Sequence, residues 1–301
     1  MDIKIEIANR AESINQILEK YLPEEEGFQK TIFEAMNYSV RVGGKRLRPM
    51  LMEATYMLFG GSDEVIYPFM AAIEFIHTYS LVHDDLPAMD NDEYRRGQKT
   101  THVVYGEAMG ILAGDALLNY AYETANSAFE VGTDYQKIGK ALMVLSKKAG
   151  VYGMVGGQVV DVESEKSDDE DKKLITRDKL DFIYRLKTSA LIEASMMIGA
   201  ILAGAKDEEI AQVEQIATKL GLAFQIQDDI LDVTSTLEVL GKPIGSDEKN
   251  NKSTYVTFEG LEKAKEDVAR LSNEACEMLD KLGTDSEFLH ELFIYLIDRD
   301  K

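Results

Sequence analysis

Apolar residues recur at three- and four-residue spacing along Ile3–Tyr21, Leu47–Phe59, Glu64–Asp84, Tyr105–Glu130, Tyr135–Gly150, Thr176–Ala203, Asp207–Asp232 and Leu261–Leu282. That spacing gives each stretch one apolar face and predicts a helix for each. The stretches are filled mostly by Ala, Leu, Met, Glu and Lys, which lose little on entering a helix. No run of short alternating strands with hairpin turns occurs, and no strand–helix alternation suggests a parallel sheet. The pattern predicts an all-α bundle.

Two segments break the helical pattern. Glu163–Lys173 (ESEKSDDEDKK) is too polar to pack and is expected as an exposed loop, and Leu240–Ser253 is irregular around Gly241, Pro243 and Gly245. Neither has the length or composition of an interdomain tether, and no repeat of 20 to 50 residues is visible. A single domain over residues 1–301 is the expected organisation.

Charge narrows the function. The chain carries 33 Lys and Arg against 54 Asp and Glu, a formal charge of −21, which repels nucleic-acid phosphates and anionic membrane surfaces. Nucleic acid is therefore not an expected partner. The lone Cys276 cannot form an intrachain disulfide or a thiolate metal site, and the start MDIKIEIANRAES lacks the apolar run of a secretory signal. The apolar segment Ala194–Ala205, interrupted by Ser195, falls short of a bilayer span. No membrane span and a cytoplasmic location are expected.

The chemistry concentrates in two acidic motifs. The first, His83-Asp84-Asp85-Leu86-Pro87-Ala88-Met89-Asp90, closes a strongly apolar helix. Pro87 disfavours the helical conformation for Leu86, so the helix should stop and bend. On a straight helix Asp84 and Asp90 would point about 120° apart, whereas a bend lets Asp90 swing back toward Asp84. In the second motif, Gln225-Ile226-Gln227-Asp228-Asp229-Ile230-Leu231-Asp232, no bend is needed: Asp228 and Asp232 share a helix face, with Asp229 beside them. An acidic helix end is ordinarily just solvated, but both motifs lie in apolar sequence, where crowded carboxylates need a cation between them. Oxygen ligands alone favour Mg²⁺ or Ca²⁺ over zinc.

Basic residues are concentrated at a few places. Gly43-Gly44-Lys45-Arg46-Leu47-Arg48-Pro49 reads as a diphosphate clamp, its glycines permitting close backbone approach and its cations suiting phosphate, against the alternative of a charged loop opening a helix. Arg95-Arg96-Gly97 follows the first acidic motif, while Lys187-Thr188 and Lys242-Pro243 lie nearer the second. His77 sits about two turns before Asp84 and could line the same cavity, although a lone helical His is more often a satisfied core residue. Gly156-Gly157-Gln158 with Asp161 is compatible with plain helix packing.

Taken in order, GGKRLRP (43–49), HTYSLVHDDLPAMDNDEYRRG (77–97), ILAGDALL (111–118), GGQVVD (156–161), KTSALI (187–192), FQIQDDILD (224–232), GKPIGSD (241–247) and KSTYV (252–256) make the sequence resemble the trans-isoprenyl diphosphate synthases. Within them it is similar to the bacterial-type farnesyl diphosphate synthases. The resemblance covers most of the chain. It implies an all-α bundle around a large central cavity, a homodimer, and three Mg²⁺ ions that join an allylic diphosphate to Asp84 and Asp90 on one wall and Asp228, with Asp232, on the other.

The resemblance also assigns roles. Asp84, Asp85, Asp90, Lys187, Thr188, Gln225 and Asp228 are the expected catalytic set. Arg95, Lys187 and Lys242 match positions that clamp the departing diphosphate, and Lys45, Arg48, His77 and Arg96 match those that hold isopentenyl diphosphate. Thr188 and Gln225 match positions whose dipoles face the carbocation. Tyr79, roughly 7.5 Å down the helix from Asp84, is expected to floor the cavity with Ser80 beside it, which favours a fifteen-carbon product over geranylgeranyl diphosphate. A terpene cyclase would not need the Lys45, Arg48 and Arg96 set, and a non-catalytic partner subunit would be expected to lack one aspartate motif. The aspartates interleaved in the tail Asp298-Arg299-Asp300-Lys301 separate its basic residues.

Overall fold

A computed structural model describes residues 2–166, 169, 175–234, 254–282 and 286–297. Lys242 with its GKPIGSD block, most of the ESEKSDDEDKK stretch and the tail from Asp298 fall outside the described residues.

The chain is all-α. In order it forms α1 (Ile3–Tyr21), α2 (Lys30–Arg41), α3 (Leu47–Leu58), a 3₁₀ turn (Glu64–Ile66) running into α4 (Tyr67–Asp84), α5 (Thr101–Tyr105), α6 (Glu107–Asn126), α7 (Ala128–Val131), α8 (Tyr135–Ala149) and α9 (Met154–Lys166). Then come α10 (Arg177–Ile183), a π turn (Tyr184–Ser189), α11 (Ala190–Ala203), α12 (Asp207–Thr234), α13 (Tyr255–Glu259), α14 (Leu261–Asp280) and α15 (Glu287–Ile297). Between α4 and α5 lies a small hairpin of β1 (Tyr94–Arg95) and β2 (Gln98–Lys99).

Local sequence explains most boundaries. Asp2 starts α1 by accepting from the backbone N–H groups of Lys4 and Ile5, and Thr176 starts α10 by accepting from Lys179. The patterned stretches become helices close to their predicted bounds. Tyr105–Glu130 is split into α6 and α7 by a bend at Ser127, whose hydroxyl bonds the Thr124 carbonyl, and Thr176–Ala203 is interrupted by the π turn. Helices α2, α5, α9, α13 and α15 were not anticipated. In α9 the sequence Gly156-Gly157 argues against helix, and tertiary packing overrides that preference.

The core is built on α4 and α11. Helix α11 is buried on every side from Ala190 to Leu202, and α4 buries Phe69, Met70, Ile73, Phe75 and Ile76 completely. A helix that is apolar all round needs neighbours all round; α3, α8 and α12 pack against α11, and α6 and α3 against α4. Among the described residues two helical stretches, Glu64–Asp84 and Arg177–Ala203, are long and apolar enough to cross a bilayer, which the sequence reading did not expect. The most apolar 18-residue windows of the two are 78% and 72% buried inside the bundle.

One ion pair ties the amino-terminal helices to this core. Arg46 is 5% exposed, and its guanidinium donates to Asn15 Oδ1 (2.9 Å) in α1, to the Val40 carbonyl (2.8 Å) in α2 and to Glu74 Oε1 (2.7 Å) in α4.

Candidate active site

Helix α4 delivers the first acidic motif. Past Asp84 the backbone turns back: the Asp90 N–H donates to the Asp84 carbonyl (2.8 Å), and the N–H groups of Met89 and Asn91 both donate to the Leu86 carbonyl (2.8 and 3.1 Å). The bend expected from Pro87 is present, and it closes Asp90 onto Asp84. The Asp84 carboxylate accepts a bond from Gln158 Nε2 in α9 (2.8 Å). Burial pushes Asp84 up to about 6, with nearby Asp90 adding to the rise and Lys187 opposing it.

Asp85 faces elsewhere. It is 4% exposed and accepts from Arg95 Nε (2.7 Å) and Nη2 (2.6 Å). Burial raises its carboxyl against the lowering effect of this arginine. Asp85 and Arg95 thus brace the β hairpin against the end of α4, and neither lines the main cavity described below. The resemblance puts Asp85 in the catalytic set and Arg95 at the departing diphosphate; in the structure this ion pair joins the two.

The hairpin also places Arg96. Arg96 (φ 53°) and Gly97 (φ 76°) take successive left-handed conformations, the signature of a tight type I′ turn. The Arg96 guanidinium lies against Gly44: a Cβ at Gly44, whose φ is 154°, would fall 2.4 Å from Arg96 Nη1. Gly44 therefore makes room for an arginine of the neighbouring hairpin, where the sequence suggested room for a ligand. Arg48 and His77 lie within electrostatic reach of Arg96. Burial lowers Arg48 to about 10, still charged at neutral pH, and holds His77 well below its ordinary value, the arginines around it adding to the effect. The result is a cationic corner of Arg48 and Arg96 with a neutral imidazole. Lys45 is exposed at its edge, while Arg46, in the same short run, is the buried structural residue.

The second motif reaches the same region through the π turn. Lys187 Nζ is 2.5 Å from Asp161 Oδ2 of α9, and the Thr188 hydroxyl donates to Gln225 Oε1 of α12 (2.7 Å). Gln225, Asp228 and Asp232 share one face of α12 by helical spacing, so the bond to Thr188 turns that face toward the cavity wall. Asp232 is 4% exposed and Asp228 half-buried.

Beside Asp84, Lys187 and Thr188 lies a cavity of about 640 Å³, also lined by Arg48, His77, Tyr79, Ser80, His83, Leu86, Met154, Val155, Gln158, Val159 and Val162, among others, whereas Asp90, Gln225, Asp228 and Asp232 are not on its lining. Its volume is that of a small-molecule site. Tyr79 is 6% exposed and packs edge-on against His83 at 5.8 Å between ring centroids. The structure thus brings together Arg48, His77, Tyr79, Ser80, Asp84, Lys187 and Thr188 as the sequence predicted. Gln158 and Asp161, the direct partners of Asp84 and Lys187, were read only as packing.

Among the described residues no three acidic, His or Cys side chains come close enough to enclose a metal ion by themselves. The donors at hand are carboxylate oxygens on two separate elements. That arrangement fits Mg²⁺, which takes one or two carboxylates and completes its octahedron with water and substrate phosphate oxygens.

Comparison with known proteins agrees with this geometry. Residues 29–289 match the polyprenyl synthetase family. The large subunit 1 of the heterodimeric geranylgeranyl pyrophosphate synthase of Arabidopsis thaliana is 45% identical over 282 residues, 93% of this chain and 74% of the relative. The farnesyl diphosphate synthase of Geobacillus stearothermophilus is 43% identical over 258 residues, 86% of this chain and 84% of the relative. Among solved structures, an FPP/GFPP synthase from Zymomonas mobilis superposes with a TM-score of 0.86 at 33% identity, covering 98% of this chain and 99% of that one. A geranyltransferase from Helicobacter pylori, complexed with magnesium and isoprenyl diphosphate, gives 0.82 at 32% identity, covering 99% and 97%. With its two aspartate motifs linked through α9 and the π turn, the chain belongs to the polyprenyl synthetase family of prenyltransferases.

Proposed function

We propose that the protein condenses an allylic diphosphate, dimethylallyl or geranyl, with isopentenyl diphosphate, and that its product is farnesyl diphosphate. The observation that carries this reading is the cavity itself: Asp84, Lys187 and Thr188 lie on the lining of an apolar space of about 640 Å³ that also holds Arg48 and His77. Two diphosphates need two charged ends. Arg48, His77 and Arg96, with Lys45 at the edge, suit the diphosphate of isopentenyl diphosphate; Lys187 suits that of the allylic substrate.

Asp84, Asp90, Asp228 and Asp232 would hold Mg²⁺, three ions by our reading, which when bound supplies positive charge to the diphosphate oxygens. The allylic carbon–oxygen bond breaks and the electron pair leaves with the diphosphate. The double bond of isopentenyl diphosphate attacks the carbocation, and a proton then passes to the released diphosphate. The chain's own contribution is orientation and exclusion of water. The hydroxyl of Thr188, on the lining, and the amide of Gln225 bonded to it would supply the dipoles that meet the cation, and Met154, Val155, Val159 and Leu86 would keep the chain in an apolar environment.

Product length follows from Tyr79. Its ring lies in the cavity about one and a half turns below Asp84, where it stops a growing chain. A geranylgeranyl product is the second reading, favoured by the 45% identity to the Arabidopsis large subunit. We further infer a homodimer, supported by the exposed apolar residues Ile111, Leu112 and Met143 on α6 and α8, and a cytoplasmic location, supported by the single buried Cys276.

The test is direct. The purified protein is incubated with Mg²⁺, isopentenyl diphosphate and either starter, and the products are separated by chain length. A fifteen-carbon product from both starters, abolished by EDTA, is expected; a twenty-carbon product would favour the second reading, and no condensation would overturn both.

A further inference from the structure

We propose that Tyr184 is a positioning residue for the second aspartate motif: its hydroxyl, presented by the π turn, fixes the Asp229 carboxylate and with it the face of α12 that offers Asp228 and Asp232. The role rests on the function proposed above, in which that face meets the diphosphate and its cations.

The geometry is specific. Asp229 is 4% exposed, and its Oδ2 accepts from the Tyr184 hydroxyl and from the Tyr255 backbone N–H (2.7 Å). The same N–H lies 3.2 Å from the Tyr184 oxygen, so the three groups form one closed cluster. Gln225 Nε2 faces the other carboxylate oxygen at 3.5 Å. A buried carboxylate without such donors would be costly to keep ionised, and one held by them has a fixed orientation. Helical spacing does the rest: Asp228 precedes Asp229 on the chain and Asp232 follows three residues later, so rotation of α12 about its axis would move all three together.

The π turn explains why Tyr184 can reach. Single π turns inside helices recur at functional sites. Here the turn from Tyr184 to Ser189 carries three side chains to three partners, Tyr184 to Asp229, Lys187 to Asp161 and Thr188 to Gln225. It thereby joins α9, which holds Asp84 through Gln158, to α12. Lys187 and Thr188 line the cavity, whereas Tyr184, 6% exposed, packs behind them with Leu180, Ile183, Ile226 and Ile230. A residue so placed acts on the reaction through the carboxylate it holds.

Tyr184→Phe keeps the buried ring and removes the hydroxyl. The measurement is calorimetric titration of inorganic pyrophosphate into the full-length protein at a series of Mg²⁺ concentrations, with condensation kinetics alongside. The Mg²⁺ needed for half-maximal pyrophosphate binding should rise about tenfold, the size of one lost bond to a charged group, with kcat at saturating Mg²⁺ changed less than that. Asp229→Asn, which weakens the same contact from the other side, should shift the Mg²⁺ requirement likewise and serves if Tyr184→Phe does not fold. Ile183→Val loosens the same apolar cluster without touching Asp229 and should leave the requirement unchanged. An unchanged Mg²⁺ requirement in Tyr184→Phe overturns the role, and so does an equal shift in Ile183→Val. Absence of Mg²⁺-dependent pyrophosphate binding in the unaltered protein overturns the proposed function as well, which separates the two failures.

Discussion

Within five residues, Lys45, Arg46 and Arg48 carry the same charge and three different jobs. Lys45 is exposed, Arg48 lines the cavity and Arg46 is buried in an ion pair with Glu74 that joins α1, α2 and α4. Composition and spacing could not tell them apart, because burial of a charge is decided by partners from distant sequence. Arg46→Ala strands Glu74 in the core and should cost about 3–5 kcal/mol in denaturant unfolding. Lys45→Ala should leave stability unchanged and raise the KM for isopentenyl diphosphate. Tyr79 is singled out by the family resemblance together with its distance from Asp84, and Tyr79→Ala should lengthen the products seen by chromatography; an unchanged length distribution would remove it from the floor. Asp84, pushed up to about 6 by burial against 3.8 when unfolded, carries more protons in the native state between these values. Its contribution to stability therefore falls as pH rises through that window. In metal-free protein Asp84→Asn should raise the melting temperature relative to wild type by more at pH 7.5 than at pH 5.

Elements were legible where one amphipathic pattern ran unbroken, as in α1, α8 and α14. They were obscured where the packing partner supplies the reason for the helix. Helix α9 is the instructive case. Its Gly156-Gly157 disfavours helix locally, yet a Cβ at Gly157 would fall 2.4 Å from the Lys187 backbone nitrogen. The missing side chain lets α9 lie against the π turn, and one turn further on Asp161 meets Lys187 while Gln158 meets Asp84. Packing and function are the same fact here. Gly157→Ala should separate the two elements, cost about 1–3 kcal/mol by overpacking, and lower kcat/KM more than Gly139→Ala, where an added Cβ meets nothing. Equal kinetic effects of the two substitutions would contradict this account. The π turn itself left no trace in the pattern, since a single inserted residue barely disturbs a period read over a long window.

For the molecule as a whole, the charge of −21 concentrates its meaning in a few places. Acidic groups gather on two distant stretches of sequence, and a relay of side chains joins the first to the helix that carries the second: Asp84 to Gln158 on α9, Asp161 of that helix to Lys187, and Thr188 next to it to Gln225. The fold class and both motifs could be read from the chain, because period and clustered carboxylates are local. Their relative placement enters the sequence reading only through the family resemblance, because it depends on α9 and the π turn, which the periodicity does not reveal. The most direct test is a double-mutant cycle on binding of a non-ionisable allylic diphosphate analogue in Mg²⁺, using Asp84→Asn, Asp228→Asn and the pair. Two walls gripping one diphosphate predict that each single substitution weakens binding sharply and that the double costs much less than the sum of the two. Losses that simply add, or one variant that binds as tightly as wild type, would contradict a shared site.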